Sequence, residues 1–297
     1  QIKKKLCTML QEGENTMQIA KKQTKQLKLN MNDFFDKIGV LIALVILVVV
    51  LSIFAPNFAT SSNVFSVLQQ IAVNGIIAVG MTYVILLGGI DLSVGSIVAF
   101  TGLVVALAMK NGIPVIGALL IGILVGGAIG FLNGVLISKV KLQPFVATLG
   151  TMTMFRGLAY TITNGQPVYQ LPEFFTGLAG FIGPVPKPVI IMILAFAIGG
   201  YSLKYTKFGR YMYAIGGNRV ASQLSGINVK KLEMWVYTLS GICCSVAAIL
   251  LTSRMGSAVA TAADGYELDA IAAVAIGGTS MSGGKGSVSG TLIGALI

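Results

Sequence analysis

The chain has 297 residues, of which 55% are hydrophobic and 10% are charged, whereas a soluble domain carries roughly 25% charged residues. Its net charge is +11, yet residues 38–109 contain one charged side chain, that of Asp91. This composition excludes an ordinary soluble globule, a disordered chain and a nucleic-acid-binding protein, and it predicts an all-α, polytopic membrane helix bundle.

The residue types available for chemistry are few. Histidine is absent, which excludes imidazole-based catalysis and His-ligated metal sites. The three cysteines have no metal-ligand spacing, and the adjacent Cys243 and Cys244 lie inside an apolar run. The sequence therefore indicates no catalytic residue, no metal site and no cofactor.

Residues 1–37 are polar and basic. This segment is too long and too polar to be the leading part of a cleaved signal peptide. They are predicted to form a basic cytoplasmic N-terminal tail, and a helix on the membrane surface is the alternative. Residues 38–297 are then the transmembrane domain.

The transmembrane domain divides into apolar stretches, and a helix needs about 20 such residues to cross the hydrocarbon core. The predicted passes are 38–55, 64–87, 93–109, 113–137, 145–163, 188–203 and 234–253. Two shorter stretches follow, 269–279, which we expect to be broken or re-entrant, and 288–297, which we expect to be a truncated C-terminal helix. The frequent glycines of 113–137 predict close helix packing.

The distribution of Lys and Arg between the loops predicts the orientation. The basic tail, loop 138–144 and segment 204–233 are rich in these residues and are placed inside. Loops 164–187 and 254–268 are placed outside. Loop 164–187 contains prolines and aromatic residues, so it is either an outer gate or docking surface or a plain interfacial loop.

A glycine-rich break with the sequence Gly88-Gly89-Ile90-Asp91-Leu92-Ser93 interrupts the apolar run 64–109. Asp and Ser are good N-cap residues because their side-chain oxygens accept free backbone N–H groups. One interpretation is therefore structural, with Asp91 capping a broken helix in the membrane. The other is functional, because a carboxylate within the membrane is a candidate binding residue on a translocation path.

A second break, at Gly277-Gly278, resembles the first and also separates two apolar stretches. Paired helix breaks in internal repeats are typical of transporters, so an internal repeat is a candidate feature of this chain. The following Gly-Gly-Lys-Gly-Ser run lacks the spacing of a Walker A loop. We therefore expect no ATP site in this chain.

Three amides, those of Gln69, Gln70 and Asn74, lie near one face of the second predicted helix. An unpaired amide in lipid costs several kcal/mol, on the order of 4–8 on apolar transfer scales. The three side chains are predicted to face the bundle interior, where they either make interhelical hydrogen bonds or contact the transported solute.

Segment 204–233 is the largest predicted cytoplasmic segment between passes. Gly216-Gly217-Asn218 is a turn signal, and residues 219–225 then form a short predicted helix that ends at Gly226. The segment is either a solvated loop or a docking helix for a cytoplasmic partner.

Several motifs of the chain together resemble the permease subunits of bacterial ABC importers for monosaccharides. They are Gly-Ile-Asp-Leu-Ser-Val-Gly at 89–95, Gly-Arg-Tyr-Met-Tyr-Ala-Ile-Gly-Gly-Asn at 209–218, Leu-Ser-Gly-Ile-Asn-Val at 224–229, and the run 265–280. The resemblance extends from about residue 38 to the end. Within the family it points to ribose as the sugar.

The resemblance implies a subunit of the bacterial cytoplasmic (inner) membrane that works in contact with membrane lipid and does not bind nucleic acid. Its implied partners are an ATP-hydrolysing subunit, a second permease subunit in a homodimer, an extracytoplasmic sugar-binding protein and the monosaccharide itself. The candidate residues of the translocation path and helix breaks are Asp91, Ser93, Gly88, Gly89, Gln69, Gln70, Asn74, Gly277 and Gly278. The candidates for coupling to the ATPase are Arg210, Gly216, Gly217, Asn218, Ala221, Leu224 and Gly226.

Two other classes of protein stay open. An ion-coupled secondary transporter uses acids or histidines within the membrane as relays, but Asp91 is the one charge of the first three passes. A membrane enzyme needs a nucleophile–base pair or a metal site, and the sequence displays neither.

Overall fold

A computed structural model describes residues 39–297, so the predicted tail 1–37 lies outside the described residues. The described chain is mostly helical with almost no strand, which confirms the all-α membrane bundle. Its helices are α1 Gly39–Phe54, α2 Ser61–Leu86, α3 Val94–Lys110, α4 Val115–Ser138, α5 Pro144–Thr163, α6 Glu173–Thr176, α7 Lys187–Tyr205, α8 Lys207–Gly217, α9 Arg219–Leu224, α10 Val229–Met255, α11 Tyr266–Ile276 and α12 Val288–Leu296. The two short strands β1 Phe181–Ile182 and β2 Val185–Pro186 pair antiparallel.

Four helices, α2, α4, α7 and α10, are long and apolar enough to cross a membrane, and α1 and α3 are shorter apolar helices. Each coincides with a predicted pass. Helix α10 starts at Val229 rather than at residue 234, so its first turn belongs to the segment predicted as cytoplasmic. Helix α5 also matches its predicted pass, but it carries Arg156 and several threonines and is more polar than the others.

Helix α10 lies at the centre of the bundle and packs against α2, α3 and α4. Its closest contact is with the glycines of α4. A Cβ atom added at Gly134 would stand 2.7 Å from the Cα of Met234, and one at Gly130 would collide with the carbonyl of Tyr237. The prediction that these glycines allow close packing is confirmed, because only a residue without a side chain permits this approach.

The chain between α10 and α11, predicted to be an outer loop over 254–268, packs against the bundle in its second half. The carbonyls of Ala260 and Ala262 accept hydrogen bonds from Arg156 in the middle of α5. Ala263 lies against Gly95 at the start of α3. The segment therefore folds back into the bundle, since non-helical backbone is tolerated at membrane depth where protein groups satisfy it.

Helices α11 and α12 run antiparallel and pack against each other. Gly290 of α12 packs against Gly277, and Gly294 packs one turn further along against Ala273. The apolar stretch 269–279 is therefore broken where α11 ends at Ile276, and its re-entrant course stays a prediction.

Loop 164–187, which is predicted to lie outside, is anchored to the ends of two long helices. Val168 pairs with Ala258, and the Ser253 hydroxyl at the end of α10 donates to the carbonyl of Phe175 at 2.7 Å. The Gln69 amide of α2 donates to the carbonyl of Ala179 at 2.9 Å. These bonds hold the loop as an ordered cover over this end of the bundle.

Candidate functional site

The break between α2 and α3 is held by Asp91, whose side chain is fully buried. Its Oδ1 atom accepts hydrogen bonds from the backbone N–H of Ser93, at 3.0 Å, and from the Ser93 hydroxyl. Its Oδ2 atom accepts from the Ser240 hydroxyl of α10 at 3.2 Å. Both carboxylate oxygens are therefore occupied by protein donors.

The network around Asp91 extends to two further helices. The Asn133 amide of α4 donates to the Ser93 hydroxyl at 2.8 Å, and the Thr151 hydroxyl of α5 donates to the Asn133 carbonyl oxygen at 2.7 Å. Thr148, also on α5, accepts from the backbone N–H of Leu92 at 3.2 Å. One carboxylate thus ties the break to α4, α5 and α10.

This geometry favours the structural interpretation of Asp91. It binds the N–H of Ser93, the residue that precedes α3, while the Ser93 side chain itself caps no backbone group of the helix. Gly89 lies under the Tyr237 hydroxyl, where a Cβ would come within 2.5 Å. Gly88 has a φ of +79°, a conformation that glycine adopts without steric cost.

A second polar cluster lies on α5 and was not singled out from the sequence. The Arg156 Nη1 atom donates to the carbonyls of Ala260 and Ala262, each at 2.8 Å, and Nη2 stands 3.9 Å from an oxygen of Asp264. The Arg156 side chain is 17% exposed and that of Asp264 is 77% exposed. A carboxylate and a guanidinium edge therefore face the open side of α5 in the single chain.

Glu267 lies behind this cluster. It is buried beside Gly95, and its Oε2 atom has no hydrogen-bond partner among residues 39–297. The sequence signal that identifies the cluster is Arg156, an isolated charge inside a 20-residue helix, because such residues mark paths or partner sites in membranes. Its partners on segment 256–265 carry no sequence signal.

Gly88 and two glycine pairs meet at the end of α2. The N–H of Gly284 donates to the carbonyl of Leu86 at 3.0 Å. A Cβ at Gly283 would stand 3.0 Å from the nitrogen of Gly88, and one at Gly284 would stand 2.7 Å from the nitrogen of Gly217. We call this contact between Gly88, Gly216–Gly217 and Gly283–Gly284 the glycine junction.

The glycine junction joins both helix breaks to α8. Tyr213 of α8 adds a side-chain bond, because its hydroxyl donates to the carbonyl of Gly286 at 2.8 Å. Burial raises the pKa of the Tyr213 hydroxyl above its ordinary value, which keeps this donor protonated. Backbone contacts thus connect α8 to the end of α2 and to the loop between α11 and α12.

The second predicted break lies at Gly277 and Gly278, directly after the last residue of α11. Gly277 ends α11, and its Cα faces Gly290 so closely that a Cβ would come within 2.5 Å of that residue's carbonyl carbon. Gly278 has a φ of +81° and open space around its Cα. The two glycines have different roles, one in packing and one in turning the chain.

The three amides of α2 are not equivalent. Gln69 is half-buried and bonds to loop 164–187. Asn74 is also half-buried, and its Oδ1 atom is buried without a partner in the described chain. Gln70 lies one helical turn before Asn74 on the same face of α2, but it is exposed on the single chain, so there this amide does not face the bundle interior.

The segment predicted to couple to a partner forms two short helices. The predicted helix 219–225 corresponds to α9, and Asn218 caps it by accepting from the N–H of Ala221 at 2.9 Å. Gly226 follows with a φ of +82°. Gly216 and Gly217 belong to the last turn of α8 rather than to a loop, so Asn218 alone joins the two helices.

An ion pair fixes α9 to α10, and the outer face of α9 is free. The Arg219 guanidinium binds the buried Glu233 carboxylate through both of its terminal nitrogens, one at 3.0 Å. Val220 and Leu224 are 67% and 85% exposed, and Ala221 lies beside them on the surface, as does Arg210 on α8. A short rigid helix therefore presents apolar side chains outward at this end of the bundle.

The sequence of the chain is similar to those of known membrane transport proteins. A family model described as "Branched-chain amino acid transport system / permease component" matches residues 63–297. The ribose import permease protein of Haemophilus influenzae is 47% identical over 86% of this chain and 81% of its own length. Those of Bacillus subtilis and Escherichia coli K12 are 46% and 48% identical, over 93% and 86% of this chain and 86% and 82% of their own lengths. No solved structure matches the chain significantly.

Proposed function

Since the chain belongs to the family of branched-chain amino acid transport system permease components, we propose that it is the membrane subunit of an ATP-driven importer of ribose. The observation that carries the proposal is the 46–48% identity to three ribose import permeases, over at least 86% of this chain. The chain is a transport component of a multi-pass inner-membrane system rather than an enzyme.

The orientation proposed for the chain places α8 and α9 in the cytoplasm. Supporting it, the region from α8 to the start of α10 carries many Lys and Arg residues, whereas the cover loop 164–187 carries few charges. Cytoplasmic segments of membrane proteins have this excess of positive charge. The N-terminal tail 1–37 is then cytoplasmic as well.

The exposed face of α9 is the proposed seat for the ATP-hydrolysing subunit. The face is apolar at Val220 and Leu224, and the Arg219–Glu233 ion pair holds it rigidly against α10. A helix with exposed apolar anchors fits a groove by shape, and surrounding charges contribute little to such a contact. Arg210, Asn218, Ala221 and Gly226 complete the proposed surface or shape its turn.

The proposed route of coupling runs through the glycine junction. When the ATPase moves α9 and α8, Gly216 and Gly217 press directly on the backbone at Leu86 and Gly284, and Gly283 carries the contact on to Gly88. These atoms belong to the ends of α2 and to the loop after α11. ATP-driven motion therefore reaches both helix breaks without passing through a flexible linker.

The proposed sugar path lies along the exposed side of α5, where a second copy of the chain completes it. This side carries Gly150, Thr153 and Gly157, and it adjoins the Asp264 carboxylate. Hydroxyl groups of a pentose can bond to the carboxylate and to threonine hydroxyls. Asp91 and Ser93 are proposed to hold the wall of this path rather than to contact the sugar.

The cover loop 164–187 is the proposed contact for an extracytoplasmic sugar-binding protein. Tyr169, Phe174 and Phe181 are exposed on it, and exposed aromatic residues on an ordered loop suit a protein interface. Gln69 and Gln70 lie next to this loop on α2, at the outer entrance of the proposed path, and Asn74 lies one turn deeper.

Reconstitution tests the proposal. The permease is placed in liposomes with the ATPase and the binding protein that co-purify with it from its native membrane, and ATP-dependent uptake of labelled ribose is measured against a hexose. We expect ribose uptake that needs both ATP and the ATPase. Uptake by the permease alone, driven by an ion gradient, would instead indicate a secondary transporter.

The coupling surface has its own test, in which Leu224→Asp is compared with Leu224→Met. Burying a leucine at an interface contributes about 1.5–3 kcal/mol, so Asp should weaken ATPase capture in detergent by about tenfold or more, whereas Met should preserve it. Ala221→Trp should act like Asp by blocking the fit. Because these side chains are exposed, the variants should yield the same amount of folded permease. Normal capture by both Leu224→Asp and Ala221→Trp would exclude α9 as the seat.

A further inference from the structure

An apolar groove runs along the outside of the bundle between α4 and α10. It has a volume of about 750 Å³, and its walls include Leu124, Phe131 and Ile242. Lys139, Lys230 and Lys231 stand together at one end. We propose that the groove binds an anionic phospholipid, with the headgroup phosphate between the lysines and one acyl chain along the walls.

The charge at the groove end is unbalanced within the chain. No acidic residue lines the groove, and the nearest carboxylate in the described sequence, that of Glu233, is buried and paired with Arg219. Among residues 39–297, none of the three lysines forms an ion pair. Basic clusters between membrane helices at one bilayer edge are a recognised arrangement for anionic headgroups.

The start of α10 adds a second electrostatic argument. The first turn of this 27-residue helix contains Lys230 and Lys231 and no acidic residue. Cations are unfavourable at a helix N-terminus, where the free backbone N–H groups already give a partial positive charge. A bound phosphate relieves the repulsion between these lysines and the positive end of the helix dipole.

The length of the groove fits one lipid leaflet. From Lys230 to Ile242, α10 rises about 18 Å, at about 1.5 Å per residue. Half of a bilayer's hydrocarbon core measures roughly 15 Å. Trp235 lies close to the lysines and is 54% exposed, which suits the interfacial position that tryptophan prefers. In the proposed orientation this is the cytoplasmic leaflet.

Trp235 makes the test direct, because it is the single tryptophan of the chain. The purified full chain is reconstituted in phosphatidylcholine with phosphatidylglycerol or phosphatidylcholine brominated in its acyl chains, at equal mole fractions. We expect brominated phosphatidylglycerol to quench Trp235 more strongly than brominated phosphatidylcholine. High salt should reduce the preference because it screens exposed charges.

Two kinds of variant, in the lysines and in the groove wall, separate headgroup from acyl-chain recognition. Lys139→Gln, Lys230→Gln and Lys231→Gln should each lower the preference by roughly fivefold at most, the effect expected per basic residue at a membrane surface. Lys141→Gln and Lys285→Gln remove the same charge outside the groove and should leave the preference intact. Ala128→Phe should fill the groove and abolish selective quenching while every lysine is retained.

Two results would overturn the proposal. One is equal quenching by the two brominated lipids, or a preference that survives removal of all three lysines. The other is a Trp235 that neither lipid quenches, which would mean that protein, such as a second copy of the chain, covers the groove.

Discussion

The break at 87–93 is held by side chains, whereas the break at 277–287 is held by backbone contacts between glycines. At the first, Asp91 collects hydrogen bonds from Ser93 and Ser240. At the second, Gly277 and Gly290 touch without a carboxylate between them. The left-handed φ also falls on the first glycine of one pair, Gly88, and on the second of the other, Gly278.

The difference shows that similar sequences at the two breaks meet different requirements. A polar network fixes the first break to three neighbouring helices, and we expect this break to be the more rigid of the two. Glycine packing fixes the second to α12 and to the glycine junction, and the hydrogen bond from the Tyr213 hydroxyl to Gly286 adds to it. We therefore expect substitutions that remove polar side chains to destabilise the first break. Substitutions that enlarge a glycine should destabilise the second.

The largest effect is expected from Asp91→Ala. It leaves three buried donors without an acceptor, each at a cost of about 1–3 kcal/mol. Little monodisperse protein should be recovered in detergent. Asp91→Asn keeps an acceptor for Ser93, and its amide can donate to the Ser240 hydroxyl, so most folded protein should be retained. Equal yields of Asp91→Ala and wild type would show that the network does not stabilise the break.

Gly277→Ala is expected to have the next largest effect, because its Cβ would meet the backbone of Gly290 and Thr291, which cannot rotate away. Overpacking of this kind costs about 1–3 kcal/mol and should lower the midpoint of thermal unfolding in detergent. Gly278→Ala is the matched control. A Cβ at this position meets no other atom within 4 Å. Its only cost is the left-handed φ, about 1–2 kcal/mol. A variant at 278 less stable than the one at 277 would contradict the assignment of roles.

Ser240→Ala should destabilise the first break by less than the two substitutions above. It removes one of the three bonds to Asp91, and hydrogen bonds between membrane helices contribute on average about 0.6 kcal/mol. A fall in thermal stability of this order is expected, measured beside Ser289→Ala, an exposed serine near the second break. If both variants lose the same stability, the Ser240 bond has no special role.

Much of this architecture was predictable because each element has a local cause. Apolar runs define the passes, Gly88-Gly89 and Gly277-Gly278 interrupt them, and Asn218 and Gly226 bound α9 by capping and by left-handed φ. These features depend on a few adjacent residues, and a sequence records them directly.

The features that escaped prediction depend on distant partners. Nothing near residue 260 indicates that its carbonyl meets Arg156, more than 100 positions away, so 254–268 was predicted as a plain outer loop. Gly216 was interpreted as part of a turn because its contacts with Leu86 and Gly284 are equally distant in sequence. Hydrophobic pattern determines which residues enter the membrane but not which backbone atoms touch there.

The central claim is that backbone contact at the glycine junction carries ATPase motion to the helix breaks. Gly216→Ala tests it, because its Cβ would collide with the backbone of Leu86 and Gly284, whereas the neighbouring Gly217→Ala meets nothing within 4 Å. Both variants are assembled with the ATPase and the binding protein, and ATP hydrolysis and ribose uptake are measured in the same liposomes. We expect Gly216→Ala to bind the ATPase and hydrolyse ATP while uptake falls roughly tenfold, in line with an overpacking cost of about 1–3 kcal/mol. Gly217→Ala should transport like wild type. Wild-type uptake by Gly216→Ala would contradict the account.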